Sequence, residues 1–405
     1  MERRKYSTVT TVKKLLLPWL FLFLMCVPGC GDDGGEGGLG GLGTIGGGDG
    51  TTAVVYVTNN GSNTVSGYSI NPSTGGLTVI PGSPFANVSA PSAMVVSSNG
   101  FFAYAANSQT NNVAAFRVGT NGALLFGVST PVGTTPRALA ISRDSRFLYV
   151  ANSGSDSVTA FNIGTAGVLT RIPPTAGNPN PASAGGSAPV AVTISPAGRF
   201  LYVANRADNT VMAFQIETSG LLTQVPPAGP GSNPISVSGT GPTGLAMSSN
   251  GQFLYVTNGA SNNVTAFQVE PSGLLTLVPT TGPNPNPVPT GGATPNGIAV
   301  APNGAYLYIA NEEGNVSAFA IGGNGLLTLV PSSGNTLNPA PTGASPAAVT
   351  VSQDGQFLYV ANRGGSVSAY TIVSGSGTVV PLTPLLGNPF PAGTSPSAIA
   401  TPGRI

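Results

Sequence analysis

Short apolar runs bounded by turn-forming residues recur along the chain from about residue 53 onward. The most regular run has the form FLYVAN, and its tyrosine recurs every 45 to 53 residues, at Tyr56, Tyr104, Tyr149, Tyr202, Tyr255, Tyr308 and Tyr359. Runs of this length that are rich in Val, Leu, Tyr and Phe and lack a helical period are typical of β-strands. The pattern therefore predicts a strand at each of these positions.

Three further segments accompany each FLYVAN run and complete a repeat. A run with an aromatic residue near its end follows it, a GLLTLVP-like run comes third in most repeats, and a run that begins with Pro, such as PVAVTIS, precedes the next FLYVAN. Seven repeats start near residues 53, 101, 146, 199, 252, 305 and 356. One four-stranded sheet cannot bury both of its faces, whereas sheets stacked around an axis can. The sequence thus predicts an all-β fold, a seven-bladed β-propeller spanning residues 53–405.

The composition supports this fold and narrows the possible chemistry. Hydrophobic residues make up 40% of the chain, and there are 58 Gly and 37 Pro, too apolar for a disordered chain and too rich in turn formers for a helical one. Charged residues are only 7%, with a net charge of +1, so we expect no nucleic acid partner. The chain has no His, which removes the commonest metal ligand and general base, and we expect no metal and no other cofactor.

The first 29 residues have the features of a signal peptide. A basic stretch precedes an apolar run of 13 residues, from 15 to 27, which is short for a membrane span. The run ends in Val27-Pro28-Gly29-Cys30, which resembles a bacterial lipobox, so Cys30 is a candidate for lipidation. Ordinary cleavage near Gly29 and an uncleaved anchor are the alternatives. We predict an exported lipoprotein on the periplasmic or extracellular side, with the membrane as its partner through the N-terminal lipid.

Residues 30–52 are rich in Gly and carry several acidic side chains. Such a segment behaves as a flexible linker, with a reach of about 25 Å for twenty residues. We interpret it as a tether between the lipidated residue and the propeller.

The repeats resemble those of the seven-bladed propellers of the lactonase family and of the similar YVTN-type surface repeat proteins. The tetrapeptide YVTN occurs at residues 56–59 and again at 255–258. The resemblance covers about residues 53 to 405 and implies a 6-phosphogluconolactonase-like activity on a lactone ring. It also implies a site that contains a His with Arg and Glu, and this chain has no His for that role.

The family resemblance orders the strands of a blade from the axis outward. We name them A (the Pro-initiated run), B (FLYVAN), C (the aromatic run) and D (GLLTLVP). The sequence opens on a B strand at Val54 and ends on an A strand near Ala398, so the C-terminal strand is expected to complete the first blade in a one-plus-three closure. Antiparallel strands place the B–C turns and the long D–A connections on one face. Long variable loops on one face are where a propeller usually carries function, and the alternative is that these Pro-rich loops are rigid covers over blade edges.

Few charged residues fall on that face, and they are the candidate site residues. Arg137 precedes an A strand, while Arg206 and Arg363 lie in B–C turns together with Asp156, Asp208, Glu312 and Glu313. An Arg and carboxylate cluster at a channel mouth could bind a lactone, polarise its carbonyl and activate water. Arg137, Arg206, Arg363, Asp208 and Glu312 are therefore weak catalytic candidates. The alternative is that they are solvated loop charges.

Two hypotheses about function remain at this point. The scarce charge, the tether and the missing His favour a binding or surface-display module, a monomer that holds a protein or carbohydrate ligand on the long-loop face. The family resemblance alone favours a lactone hydrolase. On the sequence, the binding module is the main expectation and the hydrolase is the alternative.

Overall fold

The computed structural model of the chain describes residues 53–227, 232–280, 285–332, 337–381 and 388–402. These residues form seven antiparallel sheets, which we number as blades 1 to 7 in chain order. Strands are the regular elements in these ranges, where no helix is long and apolar enough to cross a bilayer. The predicted all-β seven-bladed propeller is confirmed. The predicted signal peptide, Cys30 and the tether lie outside the described residues.

The first three blades contain strands with the following bounds. Blade 1 consists of β1 (Val54–Asn59), β2 (Thr64–Ile70), β3 (Leu77–Val79) and β33 (Pro396–Ala400). Blade 2 consists of β4 (Pro91–Val96), β5 (Phe102–Asn107), β6 (Asn112–Val118) and β7 (Leu124–Pro131). Blade 3 consists of β8 (Pro136–Ile141), β9 (Phe147–Asn152), β10 (Ser157–Ile163), β11 (Leu169–Arg171) and β12 (Ala182–Ser183).

The other four blades repeat the five-stranded arrangement of blade 3. Blade 4 has β13 (Pro189–Ile194), β14 (Phe200–Asn205), β15 (Thr210–Ile216), β16 (Leu222–Gln224) and β17 (Ile235–Ser236). Blade 5 has β18 (Pro242–Met247), β19 (Phe253–Asn258), β20 (Asn263–Val269), β21 (Leu275–Leu277) and β22 (Val288–Pro289). Blade 6 has β23 (Pro295–Val300), β24 (Tyr306–Asn311), β25 (Asn315–Ile321), β26 (Leu327–Leu329) and β27 (Ala340–Pro341). Blade 7 has β28 (Pro346–Val351), β29 (Phe357–Asn362), β30 (Ser366–Ile372), β31 (Val379–Pro381) and β32 (Phe390–Pro391).

Blade 1 is completed by the C-terminal strand. β33 pairs antiparallel with β1, with Val57 opposite Ile399 and Thr58 opposite Ala398. It also contacts β4 of blade 2 and β28 of blade 7, so the A strands touch one another around the whole ring. The predicted one-plus-three closure is confirmed.

The B strands supply most of the core between blades. Each repeat tyrosine is fully buried, and its hydroxyl donates a hydrogen bond to a glycine carbonyl in the next blade, for example from Tyr104 to Gly167 at 2.9 Å. The series closes with Tyr359 of blade 7, which donates to Gly75 of blade 1 at 2.9 Å. Each sheet thus buries its faces against its neighbours and is joined to the next blade by a buried hydrogen bond.

The glycine that accepts this bond is required by the packing. Gly167 has φ 77°, in the left-handed region, and a Cβ atom there would lie 2.3 Å from the ring of Phe102. A side chain at this position would therefore be both strained and in collision with the neighbouring blade. This is the physical reason for the Gly that precedes the D strand in each repeat.

Candidate functional site

The second residue of each A strand forms a first ring of positions around the channel. In every blade this residue lies at a shift in the A–B register, as between Pro136 and Ala138, so it is an extra residue in the strand. Such bulges commonly redirect a side chain. Around the ring the residues are Ser397, Ser92, Arg137, Val190, Thr243, Asn296 and Ala347. Ser92 Oγ donates to the carbonyl of Pro136 in the next blade at 2.6 Å, which shows that the ring runs from blade to blade.

The residue after each B strand forms a second ring beside the first. Its members are Asn60, Ser108, Ser153, Arg206, Gly259, Glu312 and Arg363. The backbone N–H of each member donates a hydrogen bond to the carbonyl oxygen of the residue that precedes the A-strand proline. In blade 6, for example, Glu312 donates to Thr294 at 3.1 Å. The two rings together form what we call the channel mouth, on the face of the B–C turns and D–A connections. At the other end of the axis, a cavity of 480 Å³ is lined by residues of all seven blades.

Glu312, Arg363 and Asn296 form a cluster at the channel mouth. Asn296 Nδ2 donates to Glu312 Oε1 at 2.7 Å, and the Arg363 guanidinium pairs with the same oxygen. Glu312 belongs to blade 6 and Arg363 to blade 7, so the ion pair crosses a blade boundary. Both side chains are partly exposed, and the pair adds little to stability. The pair holds a carboxylate beside a guanidinium on a solvent-accessible surface, where both groups can meet a ligand.

The structure places Arg137 and Arg206 on the neighbouring blades 3 and 4. Arg137 belongs to the first ring and Arg206 to the second, and both are exposed. Within the described ranges neither side chain makes a hydrogen bond or an ion pair. The charged candidates at the mouth therefore fall into two groups, the Glu312 cluster at blades 6 and 7 and the two arginines at blades 3 and 4.

Asp208 and two other predicted carboxylates hold loops in place. Asp208 Oδ2 accepts the backbone N–H of Ser187 at 2.5 Å, and Glu313 Oε2 accepts that of Ala293 at 2.8 Å. Asp156 accepts the N–H of Ala188 at 2.8 Å and has φ 47°, at a turn position that four other blades fill with Asn63, Asn111, Asn209 and Asn262. These three side chains shape the D–A connections.

Asn296 was not predicted from the sequence. Its signal was nevertheless present, since it occupies the same place in its repeat as Arg137, directly after the A-strand proline. Among the described residues, no group of three or more Cys, Asp and Glu side chains is placed to hold a metal ion.

The fold is a seven-bladed propeller, and the chain belongs to the lactonase family of such propellers. The model of the family described as "Lactonase, 7-bladed beta-propeller" matches residues 49–184, 167–290 and 288–385. The resemblance to the lactonase family is therefore confirmed.

Among curated proteins, the chain is similar to 6-phosphogluconolactonases. It is 26% identical over 202 residues to that of Formosa agariphila, covering 48% of this chain and 56% of that protein. It is 27% identical over 221 residues to that of Yersinia pestis, covering 53% of this chain and 61% of that protein. In each case the matched part spans less than two thirds of the relative's length.

Solved structures share the fold over nearly their whole length. A putative 6-phosphogluconolactonase from Bacteroides uniformis has a TM-score of 0.67 at 21% identity, covering 86% of this chain and 99% of that one. The periplasmic gluconolactonase of Pseudomonas aeruginosa has a TM-score of 0.66 at 21% identity, covering 87% of this chain and 99% of that one. At this level of identity the likeness concerns the fold.

The main functional expectation from the sequence was wrong. A binding or surface-display module was expected because His is missing and charge is scarce, yet the relatives are 6-phosphogluconolactonases and lactonase-like propellers. They favour the alternative, a lactone hydrolase. The expectation rested on the missing His and the scarce charge, and the sequence did not show that the fold brings a carboxylate, a guanidinium and an amide together.

Proposed function

We propose that this propeller hydrolyses a lactone at the channel mouth, with Glu312, Arg363 and Asn296 as its site. The observation that carries the proposal is the contact of all three side chains at Glu312 Oε1. The activity named for the curated relatives supports it.

The reaction is the addition of water to the lactone carbonyl followed by cleavage of the ring C–O bond. Both partners of Glu312 bind Oε1, so Oε2 is the oxygen that takes the proton from the attacking water. The Arg363 guanidinium stabilises the negative charge that develops on the carbonyl oxygen. As the intermediate collapses, the proton passes to the leaving ring oxygen, and the product is an open-chain hydroxy acid. Asn296 is a positioning residue that holds the Glu312 carboxylate.

The substrate class follows from the uncommitted cations at the mouth. In the proposal, Arg137 and Arg206 receive an anionic substituent, such as the phosphate of the lactone for which the relatives are named. A neutral sugar lactone would use only the Glu312 cluster. Comparing the two substrates therefore separates catalysis from recognition.

The test is hydrolysis of 6-phosphogluconolactone and gluconolactone, corrected for the spontaneous rate. Glu312→Gln should lower kcat by about 100-fold or more, because the base is lost while the side chain keeps its shape. Glu313→Gln is the matched control and should retain the rate, since that carboxylate contacts a loop N–H. Arg137→Gln should raise KM for the phosphorylated lactone alone. Full activity in a folded Glu312→Gln variant would refute the proposed site.

We further propose that the protein is exported and anchored through a lipid on Cys30. The basic stretch, the apolar run of 13 residues and Gly29-Cys30 support this. Metabolic labelling with a fatty-acid analogue should mark the wild type and not Cys30→Ser. Equal labelling of both would contradict the proposal.

A further inference from the structure

Blade 2 carries large apolar side chains at surface positions that are mostly polar in the other blades. Phe101, after the A–B turn, is 54% exposed, and Leu125, on strand D, is 56% exposed. At the place of Phe101 the following repeats have Arg146, Arg199, Gln252, Ala305 and Gln356. At the place of Leu125, defined by pairing with strand C, five of the other six blades have Thr and blade 7 has Val380: the threonines are Thr78, Thr170, Thr223, Thr276 and Thr328. At these two equivalent positions, blade 2 therefore exposes large apolar side chains where most other blades have polar ones.

Phe101 and Leu125 line the same recess, and we call the surface that they form with Arg117 the blade-2 patch. Phe126 and Val128 are also exposed. β7, the D strand that carries Leu125, Phe126 and Val128, has eight residues, whereas the D strands of the other blades have three. The outer edge of blade 2 is therefore a continuous strand with apolar side chains in solvent, an arrangement typical of interaction surfaces.

A cavity of 760 Å³ opens within the patch. Phe101 and Leu125 both line it, together with Arg117, Val54 and Gly122. Arg117 lies opposite Leu125 on strand C, where blades 4 and 5 have Gln215 and Gln268. The patch thus combines an apolar recess with one cationic group at its wall.

The charge around the patch selects the class of partner. From residue 53 to residue 143 the sequence contains no Asp and no Glu, so the patch has no carboxylate of its own blade for Arg117. A second copy of the chain docked through the same patch would bring two Arg117 side chains together. An anionic partner with an apolar interior satisfies both features, and this is the chemistry of a phospholipid bilayer surface.

We propose that the blade-2 patch docks on an anionic phospholipid bilayer. Phe101 and Leu125 enter the boundary between headgroups and acyl chains, and Arg117 pairs with a lipid phosphate. Phe101 follows an A–B turn, so the patch lies toward the face opposite the channel mouth. Docking through it leaves the Glu312 cluster open to solvent.

The test is co-sedimentation of residues 49–405 with vesicles. This part contains all seven blades and the closing strand and forms one compact unit, and it lacks the predicted lipid anchor. Pure phosphatidylcholine vesicles are compared with vesicles that contain about one third phosphatidylglycerol. The wild type should sediment with the anionic vesicles and much less with the neutral ones.

The substitutions install residues that other blades already carry, so the fold should tolerate them. The double variant Phe101→Gln, Leu125→Thr should weaken partitioning by about tenfold or more. Arg117→Gln should abolish the preference for anionic vesicles. The matched control is Leu277→Gln, Leu329→Gln, which removes D-strand leucines that are 41% and 39% exposed in blades 5 and 6, and it should bind like the wild type.

Three outcomes would overturn the proposal. The first is that the wild type fails to sediment with either vesicle, and the second is that the control variant loses as much binding as the patch variant. The third is that the wild type dimerises without lipid and the patch variant does not, which would assign the patch to a second copy of the chain.

Discussion

At the scale of single residues, buried tyrosines couple each blade to the next. Seven of them donate a hydrogen bond to a glycine carbonyl of the next blade. Burial raises the pKa of the tyrosine hydroxyls above the ordinary value of 10 at Tyr56, Tyr68, Tyr104, Tyr149, Tyr202, Tyr255, Tyr308, Tyr359 and Tyr370. Ionising any of them in the folded state would place an unpaired charge between two sheets.

We therefore expect cooperative unfolding in alkali. The raised pKa means that the unfolded chain releases these protons first, so their contribution to stability is complete below pH 10 and is lost as the pH rises toward the folded-state pKa. In that window each of these nine tyrosines lowers the free energy of unfolding by about 1.4 kcal/mol per pH unit. Circular dichroism and tyrosinate absorbance should change in the same narrow pH interval.

A single substitution provides the control for this prediction. Tyr255→Phe removes one ionisable group and leaves the Gly325 carbonyl without its donor. The substitution should lower the free energy of unfolding by about 1 kcal/mol at neutral pH. It should also make the loss of stability in alkali less steep. Gradual tyrosinate formation with an unchanged dichroism spectrum would contradict the explanation.

At the scale of elements, the strands were predictable and part of their pairing was not. The A, B and C strands have strong local patterns of apolar residues. The two-residue strands β12, β17, β22, β27 and β32 are too short to have a pattern, and they pair with strand C only after a long connection returns to the sheet. In blade 3 an amide completes the sheet, since Asn180 donates to and accepts from the backbone of Ala160 at 2.8 and 3.0 Å. The recurrent Asn-Pro pair was the available signal, and its meaning depends on tertiary structure.

The closing strand provides the prediction at this scale. Deletion of residues 394–405 removes β33 and leaves the inner edge of β1 without its partner. The loss of apolar burial and of the ladder should lower the free energy of unfolding by several kcal/mol, about 2 to 5. Thermal unfolding followed by circular dichroism should show a markedly lower Tm, and a synthetic peptide of residues 394–405 should restore part of it. A Tm within about one degree of the full domain would contradict the role of this strand.

At the scale of the whole molecule, the order of the blades around the axis determines which candidate residues meet. Glu312 and Arg363 are 51 residues apart in sequence and become partners because blades 6 and 7 are neighbours. Strand alternation determines which turns share a face, so the sequence could indicate the face on which these charged residues lie. It could not show the distances between blades, and so it could not separate the Glu312 cluster from the loop-holding Asp208.

The two surfaces to which we assign a function lie at different places on the molecule. The Glu312 cluster lies on the face of the B–C turns, and the blade-2 patch lies at the outer edge of one blade, toward the opposite face. The two proposals therefore concern different surfaces of the ring.

The bulge at the start of every A strand has a consequence for how such proteins diversify. Its extra residue is excluded from the ladder register, and its side chain is Ser, Arg, Val, Thr, Asn or Ala in the seven copies of one strand. Sheet stability hence imposes little selection on its identity. Mutation can change the residues at the channel mouth while the scaffold keeps its shape, so the chemistry of the mouth can change through single substitutions. For protein engineers the same positions are sites for a combinatorial library in which most members should still fold.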